Sequence, residues 1–108
     1  MSDENELQVR RLMQQLEHQF VEINKRNISD IAGDITEQDF NKLAEAISLC
    51  RANYLKEVLQ MANTDDGSLC ERLSDQVRNQ RVLYEEAMQG FAALRHALER
   101  GYFVLKVD

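Results

Sequence analysis

Apolar residues recur along this chain at the spacing of an α-helix. The longest such run lies between Ser68 and Arg100, where the gaps between seam positions alternate between four and three residues. That alternation keeps one narrow stripe facing a neighbouring helix. The stripe comprises Leu73, Val77, Gln80, Tyr84, Ala87, Phe91, Leu94 and Leu98. It predicts a long helix that needs partner helices, because packing of the apolar face supplies most of a helix's stability.

Two earlier segments supply those partners. The first, at about 3–27, has an apolar face formed by Val9, Leu12, Met13, Leu16, Phe20 and Ile23. The second, at about 37–62, begins after Thr36, which can act as an N-cap with Asp39 three residues later. Its seam comprises Phe40, Leu43, Ile47, Cys50, Tyr54, Val58 and Met61. Ile35 and Phe40 occupy the positions of a hydrophobic staple, which supports this helix start.

The segments between these runs predict the topology. Residues 28–35 are rich in turn formers, and their isoleucines, Ile28, Ile31 and Ile35, are expected to plug the end of the core. Residues 63–67 form a turn by composition, and Ser68 with Glu71 matches a capping box. Short connections favour antiparallel neighbours. The prediction is an all-α, three-helix antiparallel (up-down-up) bundle with a short C-terminal tail. It is one domain over residues 1–108, with helices at about 3–27, 37–62 and 68–100 and the tail at 101–108.

Gly90 and the tail can each be interpreted in two ways, whereas Gly101 has one expected role. Gly101 fits the position just past a helix end. Gly90 lies inside the third helix, either as a tolerated surface glycine or where another backbone approaches closely. The tail carries Tyr102, Phe103 and Leu105. It is expected to fold back and cover the end of the bundle, or to serve as an apolar arm or a lid for a partner, and the two roles are compatible.

Composition narrows the class of function. Nineteen acidic residues against thirteen Lys and Arg give a formal charge of −6, which disfavours nucleic-acid binding because phosphate contacts need a basic surface. The chain shows no secretory signal and no apolar stretch long enough to cross a bilayer. The expected location is therefore the cytoplasm, with Cys50 and Cys70 as reduced thiols and no membrane partner.

The candidate chemical groups do not combine into a site. His18 and Glu22 lie four residues apart, but two ligands do not make a metal centre. His96 lies near a helix C-terminus, where a solvated histidine is the default interpretation. Cys50 sits on an apolar seam, where a thiol fills space. A polar pocket around Gln80 and Arg81 leaves a small helical-bundle enzyme as a minority hypothesis. The expectation is no enzyme activity, no cofactor and no metal.

Apolar residues outside the seams indicate an interaction surface. They are Leu49, Leu55 and Leu59 on the second helix and Leu83 and Met88 on the third. A large exposed apolar patch usually marks an interface. Its occupant is either a client protein or a second copy in a homodimeric regulatory or structural protein. The candidate partner-binding residues are Tyr84, Met88, Phe91, Tyr102, Phe103 and Leu105.

The segment Thr36–Leu43, followed by Cys50 and Arg51, resembles the middle of the FliT group of flagellar type III export chaperones. Phe40 stands where that group usually has Trp, and residues 28–35 are longer than expected. The resemblance implies a small, acidic, all-helical bacterial chaperone that keeps the filament-cap protein soluble before export. It also implies contact with export-apparatus proteins, a partner groove on the third helix and a tail that covers or adjusts this groove.

Overall fold

The computed structural model describes residues 2–63 and 67–107, without the side chains of residues 2, 67–70 and 72. It contains three helices, α1 (Ser2–Ala32), α2 (Glu37–Ala62) and α3 (Gly67–Glu99). The prediction of an all-α three-helix bundle is confirmed, and the bounds of α2 agree with the sequence pattern. Of the predicted turn at 63–67, residues 64–66 lie outside the described residues, and Gly67 already belongs to α3. The side chains of Ser68 and Cys70 also lie outside the described part.

Helix α1 is longer than predicted, because residues 28–32 continue it. The turn formers in this segment do not break the helix. It ends at Gly33, which has a φ of +77° and donates its N–H to the Ser29 carbonyl at 3.1 Å. A glycine with positive φ closes a helix in this way at no steric cost. The continuation turns Ile31 outward, where it is 87% exposed, so the prediction that it plugs the core was wrong.

Helix α3 ends in a Schellman motif, as the placement of Gly101 predicted. Gly101 has a φ of +76° and donates its N–H to the Leu98 carbonyl at 3.1 Å. Tyr102 donates its N–H to the Ala97 carbonyl at 2.8 Å. These bonds satisfy carbonyl groups that the helix end would otherwise leave unpaired, and they reverse the direction of the chain.

The chain separates into two compact units. The first contains the residues up to Thr36 together with those from Arg95 onward. Within it the tail folds back beside the connection after α1, since Lys106 donates its N–H to the Ile35 carbonyl at 2.9 Å. Thr36 and Lys106 form a parallel β-bridge. The tail is therefore folded back beside this connection. Its role as an arm or lid for a partner stays a prediction, and so does the assignment of the whole chain to one domain.

The second unit, Glu37–Leu94, is an antiparallel pair of helices, called the hairpin below. Phe40 near the start of α2 meets Phe91 near the end of α3, and Tyr54 meets Tyr84. Among the described residues Ile47 is the one buried apolar side chain, at 7% exposure. A core this small leaves most apolar residues of the helices in contact with solvent.

Candidate interaction surfaces

Two of the predicted partner residues, Tyr84 and Phe91, belong to the contact between α2 and α3. Phe91 meets Phe40 edge to face, with ring centres 6.0 Å apart and planes at 84°. Tyr84 stacks on Tyr54 with ring centres 6.2 Å apart and planes at 27°. Both geometries are favourable for aromatic pairs. These half-buried rings therefore help to hold the hairpin together.

Arg51 adds a polar link to the same contact. Its Nε–H donates to the Tyr84 hydroxyl oxygen at 3.1 Å. Its guanidinium carbon lies 5.3 Å from the centre of the Tyr84 ring, near the outer limit of about 6 Å for a cation–π interaction. The arginine that contributes to the resemblance with export chaperones thus orients a tyrosine of the hairpin.

One side of the hairpin carries a cluster of exposed apolar residues. Leu55, Val58 and Leu59 lie three and four residues apart on α2, which places them on one helix face. Val58 and Met88 each come four residues after a tyrosine of the stacked pair. In an antiparallel pair, moving four residues along each helix rotates the two side chains toward the same side, so Val58 and Met88 lie on one side of the hairpin. The hairpin flank is defined here as Leu55, Val58, Leu59 and Met88, all exposed.

The apolar face of α1 is a second exposed surface. The α1 stripe is defined here as Val9, Leu12, Met13, Leu16, Phe20 and Ile23. Leu16 is half-buried and the others are exposed, with Met13 at 56%. The expectation that this face is buried was therefore wrong for most of its length. Exposure near one half leaves a large part of each of these side chains open to solvent.

The remaining candidate residues lie in the tail. Tyr102, Phe103 and Leu105 are half-buried in the first unit. Tyr102 and Phe103 line a pocket of about 230 Å³ at the end of α1, together with Lys25 and Lys106. Tyr84, Met88 and Phe91 belong to the second unit. The predicted residues thus form separate groups, of which Met88 is the exposed member.

The histidine, glutamate and cysteine side chains that could form a metal or catalytic site lie at the surface or within helix contacts. Glu22 is 3.9 Å from Lys25, while His18 is exposed. His96 is exposed and meets the Tyr102 ring edge to face at 6.4 Å. Cys50 is a half-buried free thiol.

The two residues of the predicted polar pocket on α3, Gln80 and Arg81, lie in different environments. Gln80 is half-buried, whereas Arg81 lies at the surface, 3.8 Å from Glu85 one helical turn later. Such exposed ion pairs contribute little to stability.

In the described ranges no three metal-binding side chains are grouped to hold an ion. No described helix is long and apolar enough to span a membrane.

Glu57 was not among the residues predicted from the sequence to form a site. Its Oε2 is fully covered and has no hydrogen-bond partner among the described residues. It follows Tyr54 by three residues and precedes Met61 by four, which places it beside the α2 seam. That spacing was the signal that could have identified it.

No protein-family model, curated protein or solved structure matches this chain. The likeness to FliT-type chaperones therefore rests on the sequence alone, through the residues from Thr36 to Leu43, Cys50 and Arg51, and through the layout of Ser68 to Leu105 as a long amphipathic helix followed by an aromatic segment.

Proposed function

We propose that this protein acts through protein–protein contact, as a small cytoplasmic chaperone or adaptor that holds an amphipathic helix of a client. The observation that carries the proposal is the distribution of apolar residues. All three helices expose large apolar side chains, whereas Ile47 is the one that is buried among the described residues. Apolar surface in excess of the needs of the core is a property of docking proteins.

The hairpin flank is the proposed client surface. Leu55 and Leu59 lie one helical turn apart, with Val58 between them in sequence and Met88 on the facing helix. A client helix with apolar residues at positions i, i+3, i+4 and i+7 would cover such a surface. Arg51 lies on the same side, three residues before Tyr54 and hydrogen-bonded to Tyr84. It provides a positive charge for an acidic residue of the client.

The resemblance to FliT-type chaperones suggests the class of client. Its segment ends at Arg51, one helical turn before Leu55. The client we propose is accordingly an amphipathic helix of a bacterial flagellar filament-cap protein, held before type III export. Binding of this kind needs no catalytic residue and no cofactor.

A direct binding measurement tests this function. The probe is a fluorescein-labelled peptide of an amphipathic helix of a filament-cap protein, titrated with the full chain and followed by fluorescence anisotropy. We expect saturable binding that Leu55→Asp weakens at least tenfold, because a carboxylate would enter the apolar contact. The matched control is Leu49→Asp. Leu49 is 64% exposed, against 52% for Leu55, and lies about 120° away around the helix axis.

The control variant should bind the peptide as the unmodified chain does. Equal losses in the two variants would show that the flank has no special role. A chain that leaves the peptide anisotropy unchanged at the highest soluble concentration would end the proposal for this client. Circular dichroism of each variant checks that the helices remain.

A further inference from the structure

We infer that the α1 stripe binds the same stripe of a second copy, and that the two helices run antiparallel. The inference does not depend on the proposed client function, since the stripe and the hairpin flank share no residue. The α1 stripe is largely exposed, with Val9 at 52% and Met13 at 56%. An amphipathic helix with such a face gains stability from covering it.

The spacing of the stripe suits a two-stranded coiled coil. Val9, Leu16 and Ile23 are seven residues apart, and Met13 and Phe20 fall between them with the same repeat. These are the two core positions of a heptad. In an antiparallel pair Met13 packs in one layer with Leu16 of the second copy. Val9 packs in the next layer with Phe20 of the second copy.

The charges on α1 favour the antiparallel orientation. Arg10 and Glu17 flank the stripe on the same edge, both exposed and without an ion-pair partner among the described residues. In the antiparallel register Arg10 lies opposite Glu17 of the second copy, and symmetry repeats the pair. A parallel pair would instead place the acidic start of each helix against itself. Like charges at that distance repel, whereas opposite charges attract.

The two ends of the helix add to this preference. The first turns carry Asp3, Glu4 and Glu6, and the later part carries Lys25 and Arg26. Antiparallel pairing brings the acidic start of one helix beside these basic residues of the other. The helix dipoles are also antiparallel, so the positive end of one helix lies near the negative end of the other.

The surface available sets the size of the interface between the two copies. Covering the exposed parts of the stripe in both copies buries on the order of 1,000 Å², the lower end for a specific interface. The dimer is accordingly expected to form in the micromolar range and to dissociate on dilution.

Sedimentation equilibrium of the full chain across this concentration range tests the pairing. We expect a reversible monomer–dimer equilibrium that Met13→Asp shifts to monomer. Leu7→Asp is the matched control, because Leu7 is 49% exposed and lies on the opposite face of α1. It should leave the dimer intact, and circular dichroism should show unchanged helix content in both variants.

Charge reversal tests the orientation. Arg10→Glu alone and Glu17→Arg alone should each weaken the dimer several-fold, and the double variant should restore it, since residues 10 and 17 face each other only across an antiparallel pair. Spin labels at Glu4→Cys, with Cys50 and Cys70 replaced by Ser, give the distance directly. The antiparallel register separates them by about 31 Å along the axis, whereas a parallel pair brings them within about 15 Å.

Each remaining outcome overturns the inference. If the protein is a monomer at every concentration, the α1 stripe has another occupant. Loss of client-peptide binding by Met13→Asp in that monomer would identify the client as this occupant. A dimer that Met13→Asp and Leu7→Asp affect equally involves another surface. A short spin-label distance, or a double charge reversal that fails to restore the dimer, excludes the antiparallel register.

Discussion

Gly90 and Gly101 have different backbone conformations. Gly90 lies within the helix, and a Cβ added there would meet nothing within 4 Å among the described residues beyond the adjacent backbone of the helix itself. The close-approach interpretation of Gly90 was therefore wrong, and the tolerated surface glycine is what the structure shows. Gly101 also has open space around it, but its φ of +76° disfavours any residue with a Cβ.

Substitution of these glycines by alanine should change stability in opposite directions. Gly90→Ala should raise the free energy of unfolding by about 0.5–1 kcal/mol, because alanine restricts the unfolded chain and favours the helix. Gly101→Ala should lower it by about 1–2 kcal/mol, because the left-handed conformation strains alanine. Urea unfolding at 25 °C measures both. A destabilised Gly90→Ala variant would mean that another surface approaches this position.

At the same scale, side-chain partners were less predictable than backbone conformation. Tyr84 and Phe91 were assigned to a partner surface because both are large and lie on an apolar stripe. The structure pairs them with Tyr54 and Phe40 on α2. Periodicity identifies which face of a helix is apolar, but it does not say which apolar residues meet within the chain.

At the scale of elements, helix ends followed local signals wherever the chain has a strong one. Thr36 directly precedes α2, and Gly101 lies just past the end of α3, as predicted. The end of α1 was misplaced because Ser29 and Asp30, which favour turns, also occur in helices. Gly33 was the decisive residue, since it alone in that segment adopts a positive φ among the described residues.

The tail should contribute to stability through its buried side only. Leu105 is half-buried, whereas Val107 is 92% exposed. Leu105→Ala should therefore lower the free energy of unfolding by about 1–2 kcal/mol, roughly half the cost at a fully buried site. Val107→Ala should stay within about 0.5 kcal/mol of the unmodified chain. Thermal unfolding of the two variants compares them, and equal midpoints would show that the tail does not stay docked in solution.

At the scale of the whole molecule, the surplus of apolar surface should make stability depend on concentration. A dimer is stabilised by mass action, because the second copy binds the folded chain and not the unfolded one. The midpoint of thermal unfolding should rise by several degrees over a hundredfold increase in protein concentration. The midpoint of Met13→Asp should not change over the same range. A midpoint of the unmodified chain that is also independent of concentration would argue against self-association.

The sequence by itself determined the all-α class, the three helices and most of their ends, because these depend on residues within a few positions of one another. Tertiary structure decided which apolar faces are covered. The α1 stripe and the α2 seam have the same helical periodicity, yet one is largely exposed and the other meets α3 through Phe40 and Tyr54. Burial depends on residues distant in the chain, and local periodicity carries no information about their positions.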